Sequence, residues 1–125
     1  MNVRYERGQV VYADLSPTVG HEQSGIRPVL IVSENRFNVS SQTVIAMPLT
    51  SQPQRVPYPF AFELGPFLPD ESLSWVKPAQ VRALSTDRLS NVIGKVSPEE
   101  IEKCLDALLR VCGRKQRPRA DNDGS

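Results

Sequence analysis

Only one stretch of this chain repeats its apolar residues at a helical interval, so most of the core has to be built from something other than helices. Ile101, Cys104, Leu105, Leu108, Val111 and Cys112 recur at three- and four-residue steps and make a single apolar stripe. Ser97 stands where an N-cap is wanted, Pro98 fits the first helical position, and Glu100 completes a capping box three residues after the cap. Gly113 supplies the stop. Upstream, turn formers cut the chain into short pieces, and 11 prolines among 125 residues leave little room for another long helix.

Those pieces read as strands. Residues 9–15 form a β-rich run between Gly8 and Ser16-Pro17, and residues 17–25 are polar and bracketed by turn formers, which predicts a mobile loop. Residues 28–33 are apolar without alternation, as in a buried central strand, and residues 34–38 suggest one helical turn or an irregular corner. Residues 43–51 give a second buried strand, in which Pro48 argues for an edge or a bulge. A Pro/Gln loop at 51–57 precedes shorter runs at 60–64, 73–76, 80–84 and 92–96. Six or seven strands and one late helix predict a mainly β domain: a small barrel or strongly bent sheet with the helix packed against it.

At this length the chain is expected to be one domain, spanning 1–113, followed by a disordered basic tail at 114–125. The tail sets four basic residues against two acidic ones, while the whole chain carries a net charge of only +1. A protein held to duplex phosphates by non-specific attraction shows a larger basic excess, so a nucleic-acid partner would have to be gripped by a local patch. No apolar run approaches the roughly 20 residues that cross a bilayer, and the N-terminal residues lack an apolar signal core, so a cytoplasmic location is expected. Cys104 and Cys112 are eight apart on one helix, about 12 Å, too far for a disulfide. They are also too few for a zinc site, and they read as two buried or half-buried thiols in a reducing compartment.

Conventional catalytic signatures are missing. The sequence has no Gly-rich phosphate loop, no G-x-S-x-G elbow and no H-E-x-x-H, and its single histidine, His21, falls in the polar loop. Glu99, Glu100 and Glu102 open a helix, where carboxylates suit the dipole, and no other carboxylates cluster as a divalent metal would require. What remains is Arg27, where a loop enters a rigid strand, and Thr50-Ser51, where another strand ends. Such positions can hold a cation and hydroxyls in fixed geometry. Spacing alone equally allows Arg27 to be a surface ion-pair partner and Thr50-Ser51 to cap the next turn.

The order of certain residues goes further. Gly8-Gln9-Val10-Val11-Tyr12-Ala13-Asp14-Leu15-Ser16-Pro17, then Gly20, Glu22-Gln23, Gly25 and Arg27-Pro28, resembles the opening of the MazF/PemK toxins. Phe37-Asn38, Pro48-Leu49-Thr50-Ser51, Tyr58-Pro59-Phe60, Gln80-Val81-Arg82-Ala83-Leu84-Ser85 and Ile93-Gly94 continue the pattern, and the similarity covers about residues 5 to 112. The resemblance implies an SH3-like barrel, of the kind shared with CcdB-type proteins, and the toxin of a type II toxin–antitoxin pair. It implies an endoribonuclease (an mRNA interferase) that cuts single-stranded RNA without a metal or cofactor, leaving 2′,3′-cyclic phosphate and 5′-OH ends.

On the same resemblance Arg27 and Thr50 are the catalytic pair, Glu22 and Gln23 bind or gate the substrate, Ser51 assists, and Gln80 and Arg82 contact phosphate or base. Its further implications are a homodimer and a cognate antitoxin whose extended acidic C-terminal segment fills the RNA groove. Several relatives have Asp just before the Gln of the Q-[IV]-R segment, where this chain has Ala79. Phe37, Tyr58, Phe60 and Trp75 are candidates for stacking on unpaired bases, although most aromatics in so small a domain belong to its core. Two other readings exist: a non-enzymatic toxin of the same fold that poisons DNA gyrase, and a catalytically dead SH3-like module. The gyrase poisons typically end in Trp-Gly-Ile, unlike the Asp121-Asn122-Asp123-Gly124-Ser125 of this chain, and the dead module would tolerate Arg27→Ala.

Overall fold

A computed structural model describes residues 4–16, 20, 25–66 and 73–114. Apart from Arg114, the expected tail lies outside the described residues, and the domain boundary at 113 stays an expectation. Seven strands and two helices follow in chain order: β1 (Gln9–Asp14), β2 (Ile26–Ile31), α1 (Asn35–Ser41), β3 (Thr43–Thr50), β4 (Phe62–Leu64), β5 (Ser74–Val76), β6 (Arg82–Ser85), β7 (Leu89–Lys95) and α2 (Pro98–Val111). The strands form one curled antiparallel sheet in the order β4-β5-β3-β2-β1-β7, with β6 also paired to β3. The expected architecture of mainly β structure with one C-terminal helix is what the chain adopts.

The helix at the end forms as its sequence asks. Ser97 Oγ accepts from the Glu100 N–H at 3.1 Å, and Glu100 Oε1 accepts from the Ser97 N–H at 3.0 Å, so the capping box satisfies two otherwise orphaned donors. The corner after β2 becomes the short helix α1, closed by Gln42 in the left-handed region (φ 55°). Its one buried residue, Asn38, donates through Nδ2 to the Ser33 carbonyl at 3.1 Å and to the Tyr5 carbonyl at 3.4 Å, tying the helix to the strands beside it.

Pro48 corrects the expectation of an edge or bulge. It sits fully buried in β3, which is the centre of the sheet, paired with β2, β6 and β5. Opposite β2, the partner of β3 changes at this point: β6 is paired up to Ala46, and β5 is paired from Leu49. The missing N–H of Pro48 falls in the gap between the two partners, so no ladder bond is lost. Elsewhere the strand bounds shift from their apolar runs: β4 keeps only Phe62–Leu64, Pro78–Gln80 turns as a 3₁₀ segment ahead of β6, and β7 starts already at Leu89.

Side chains alternate across the sheet, and its two faces carry separate cores. Val10, Leu30, Val32, Met47, Leu49, Phe62, Leu64 and Val76 join Ile101, Cys104 and Ala107 of α2 in one core. Val11, Ala13, Leu15, Val29, Ile31, Val44, Ala46, Leu84 and Leu89 form the other, with Tyr5 over it. Among the described residues no helix is long and apolar enough to cross a membrane.

Candidate active site

The face turned away from α2 changes character at one end of the sheet. Going along β2 from Ile31 and Val29, the next side chain on that face is Arg27, and going along β3 from Val44, Ala46 and Pro48 it is Thr50. The β2–β3 register pairs Ile31 with Ala46 and Val29 with Pro48. Arg27 and Thr50 each stand two residues beyond the last pair of this ladder, at the same end of their strands. Arg27 is also the partner of Ala13 on β1, Thr50 is the partner of Trp75 on β5, and Trp75 is the partner of Glu63 on β4. Two short rows end here, Ala13 with Arg27, and Thr50 with Trp75 and Glu63. Directly opposed Cβ atoms in such a row lie about 4.5–5.5 Å apart.

Arg27, Thr50 and Trp75 are half-buried, and Glu63 is exposed. Thr50 Oγ1 accepts the N–H of Gln52 at 3.2 Å. A lone pair of the hydroxyl is thereby occupied, which leaves its proton to donate elsewhere. Thr50 therefore caps the next turn, as one of its two sequence readings has it. Ser51, past the strand end, is exposed.

Arg82 shares this face with Leu84, two residues on, and pairs with Ala46 of β3. Its Nη1 donates to the Leu15 carbonyl at 3.2 Å. Arg88, in the turn before β7, donates through Nη1 to the Asp14 carbonyl at 2.9 Å and to the Ser16 carbonyl at 2.5 Å. Three successive carbonyls, at the point where β1 leaves the sheet, are thus held by two guanidiniums, in the charge-assisted class of hydrogen bond. The Leu15 N–H donates to the Gly25 carbonyl at 2.9 Å, and the Gly25 N–H donates to Ser16 Oγ at 3.2 Å, closing a neck two residues before Arg27. Gly25 takes φ +80°, which side chains rarely adopt, so the neck requires glycine there. Glu22 and Gln23, between the two sides of this neck in sequence, lie outside the described residues. Gln80 ends the 3₁₀ turn that abuts α2 and is half-buried; no register pairing joins it to Arg27 or Thr50.

Arg88 had no sequence signal, because its acceptors are backbone carbonyls more than 70 positions away. The remaining candidate aromatics are spread over the molecule. Phe37 is on α1, and Phe60 is exposed in the segment before β4. Tyr58 is tied to α2: its hydroxyl donates to the Asp106 carboxylate, which also accepts from Arg110 Nε at 2.8 Å. Lys103 Nζ lies 5.4 Å from the Tyr58 ring centroid and 4.7 Å from that of Phe62. Burial, and then the Asp106 carboxylate, push the Tyr58 phenol up to about 12. The hydrogen bonds from Tyr58 and Arg110 hold Asp106 below the usual carboxylate range. The two cysteines are free thiols; Cys104 is buried as expected, but Cys112 is exposed, because it caps the end of α2 beyond the packed turns.

A cation and a hydroxyl fixed on adjacent strands, with carbonyl-bound arginines beside them, suit a phosphate-bearing substrate. Residues 6–112 match the family model described as PemK-like, MazF-like toxin of type II toxin–antitoxin system, and the chain belongs to this family. Over 104 residues it is 36% identical to the endoribonuclease EndoA of Bacillus subtilis strain 168, a match that covers 82% of this chain and 90% of the relative. A Staphylococcus saprophyticus endoribonuclease MazF is 33% identical over 104 residues, covering 82% and 86%. Among solved structures, a MazF from Deinococcus radiodurans superimposes with a TM-score of 0.76 at 25% identity, covering 90% of this chain and 99% of that one. A mycobacterial endoribonuclease in complex with its cognate antitoxin superimposes at 0.72 with 29% identity, covering 90% and 99%.

Proposed function

We propose that the chain is a cytoplasmic endoribonuclease that cuts single-stranded RNA, chiefly mRNA, at a short sequence motif, with Arg27 and Thr50 as its catalytic residues. The observation that supports this reading is that Arg27 and Thr50 stand on adjacent strands, on the face away from α2, each two residues beyond the Val29–Pro48 pair. In the reaction the 2′-oxygen forms a bond to phosphorus, the bond to the 5′-oxygen breaks, and the proton of the 2′-OH ends on the 5′-oxygen. The substrate brings its own nucleophile, so the protein has only to stabilise charge growing on the phosphorane, and the step asks for no metal. Arg27 offers a planar fork of donors for two phosphate oxygens, and Thr50, its acceptor side used by the Gln52 N–H, donates its proton to the same charge. Ser51 assists from the strand end. Arg82, on the same face, contacts the substrate, Gln80 reaches it only if the substrate extends past β5 toward the 3₁₀ turn, and Glu22 and Gln23 bind or gate it. DNA binds without being cut, because it lacks the attacking hydroxyl.

Two relationships complete the reading: a homodimer, with RNA in a groove shaped by both subunits, and an antitoxin whose acidic segment competes for that groove. The mycobacterial relative solved with its cognate antitoxin supports the second. The test is incubation with a long single-stranded RNA in excess EDTA, beside Arg27→Ala, followed by mapping of the cut ends. Cuts at one motif with cyclic-phosphate ends, absent with the variant, are expected. Intact RNA across varied sequences would overturn the reading and leave gyrase binding as the next assay.

A further inference from the structure

We infer that Trp75 is the platform on which the base beside the scissile phosphate stacks, and that it thereby helps set the sequence the enzyme prefers; this rests on the ribonuclease reading above. Of the four aromatics open to such a role, only Trp75 is a direct cross-strand partner of Thr50. Tyr58 is engaged by Asp106, Arg110 and Lys103 beside α2, while Phe37 and Phe60 lie on α1 and in the segment before β4. Trp75 is half-buried and belongs to neither apolar core, so packing does not account for so large a side chain at this position. Its strand neighbours Ser74 and Val76 are buried on the opposite face.

The charges at this end of the sheet orient the ligand. Arg27 at one side attracts phosphate, and Glu63, the partner of Trp75 on β4, repels it. Neighbouring strands are about 4.8 Å apart, so a phosphate between Arg27 and Thr50 has the indole one strand away, on the side where its backbone is disfavoured and an uncharged base is not. Aromatic stacking of this kind tolerates any base but ranks them by stacking strength, which gives a preference rather than an absolute code.

Trp75 is the single tryptophan of the chain, so its fluorescence reports on this position alone. The experiment titrates the wild type with the RNA that it cleaves, 2′-O-methylated throughout so that it binds without reacting, and follows both fluorescence and anisotropy. Quenching that saturates with binding is expected. Trp75→Leu should weaken binding about 5- to 150-fold and relax the preference at one position of the motif, while Trp75→Phe recovers most of both. RNA that is never cut would sink the ribonuclease reading, and the platform with it. RNA that is cut normally, with neither quenching nor any change in affinity or motif on substitution, would sink the platform alone.

Discussion

On β3 the side chains of Met47 and Leu49 go under α2, while those of Pro48 and Thr50 go to the other side, and the two halves of the sheet diverge in the same way. The helix side is closed along its length by Ile101, Cys104 and Ala107 and presents little beyond apolar contact. The other side is apolar only as far as Val29 and Pro48, and then gives way to Arg27, Thr50 and Trp75. A strand with period two lets one backbone serve both purposes: whatever stiffens the helix face also fixes the spacing of the groups opposite. Rigidity is made on one side and used on the other.

The comparison breaks most sharply at two adjacent residues. Leu49→Ala should cost about 2–5 kcal/mol of stability through the cavity it leaves, read as a lower midpoint in urea, with kcat preserved while the protein remains folded. Thr50→Val, one residue on, should leave that midpoint within about 1 kcal/mol and lower the cleavage rate about 10²–10³-fold. Equal losses of stability in both variants would mean that the two faces are not separable.

Ser97→Ala removes the cap that starts α2 and should cost about 1 kcal/mol, measured by the same denaturation, without any change in cleavage motif. A shifted motif would show that α2 reaches the site.

The smallest effect is a pH dependence. The Tyr58 phenol is raised from 10.0 to about 12, so the stability it contributes is present below pH 10 and is lost as pH rises toward 12. Tyr58→Phe should lack that alkaline decline when thermal midpoints of the two proteins are compared across the window, and it should cut RNA as before. A variant that keeps the full decline would assign it to other groups.

What was legible in the sequence is what is local. The cap at Ser97 and Glu100, the stripe from Ile101 to Leu108 and the short strands all follow from neighbours within a few residues, and all appear in the fold. Pro48 was misjudged because its tolerance depends on two different strands meeting β3 on the same side, a fact of register that no window of sequence contains. Arg27 and Thr50 could be named from the family pattern, but that they end neighbouring strands on one face follows from the pairing of Val29 with Pro48. Arg88 was invisible, since a guanidinium that binds carbonyls of β1 selects no side-chain type there. The Ser85 cap on the Asp87 N–H, within the same turn, was by contrast a local feature.

The neck closed between Leu15 and Gly25 bears on how a chain like this can change over evolutionary time. Its hydrogen bonds are made at the mouth of the intervening stretch, and the register of Arg27 is set on the strand side of that mouth. Doubling the length of the stretch would add only about 0.6 kcal/mol of closure entropy. An insertion between Ser16 and Gly25 would therefore cost the fold little, because the bonds of the neck and the pairing of Arg27 with Ala13 are made on either side of it.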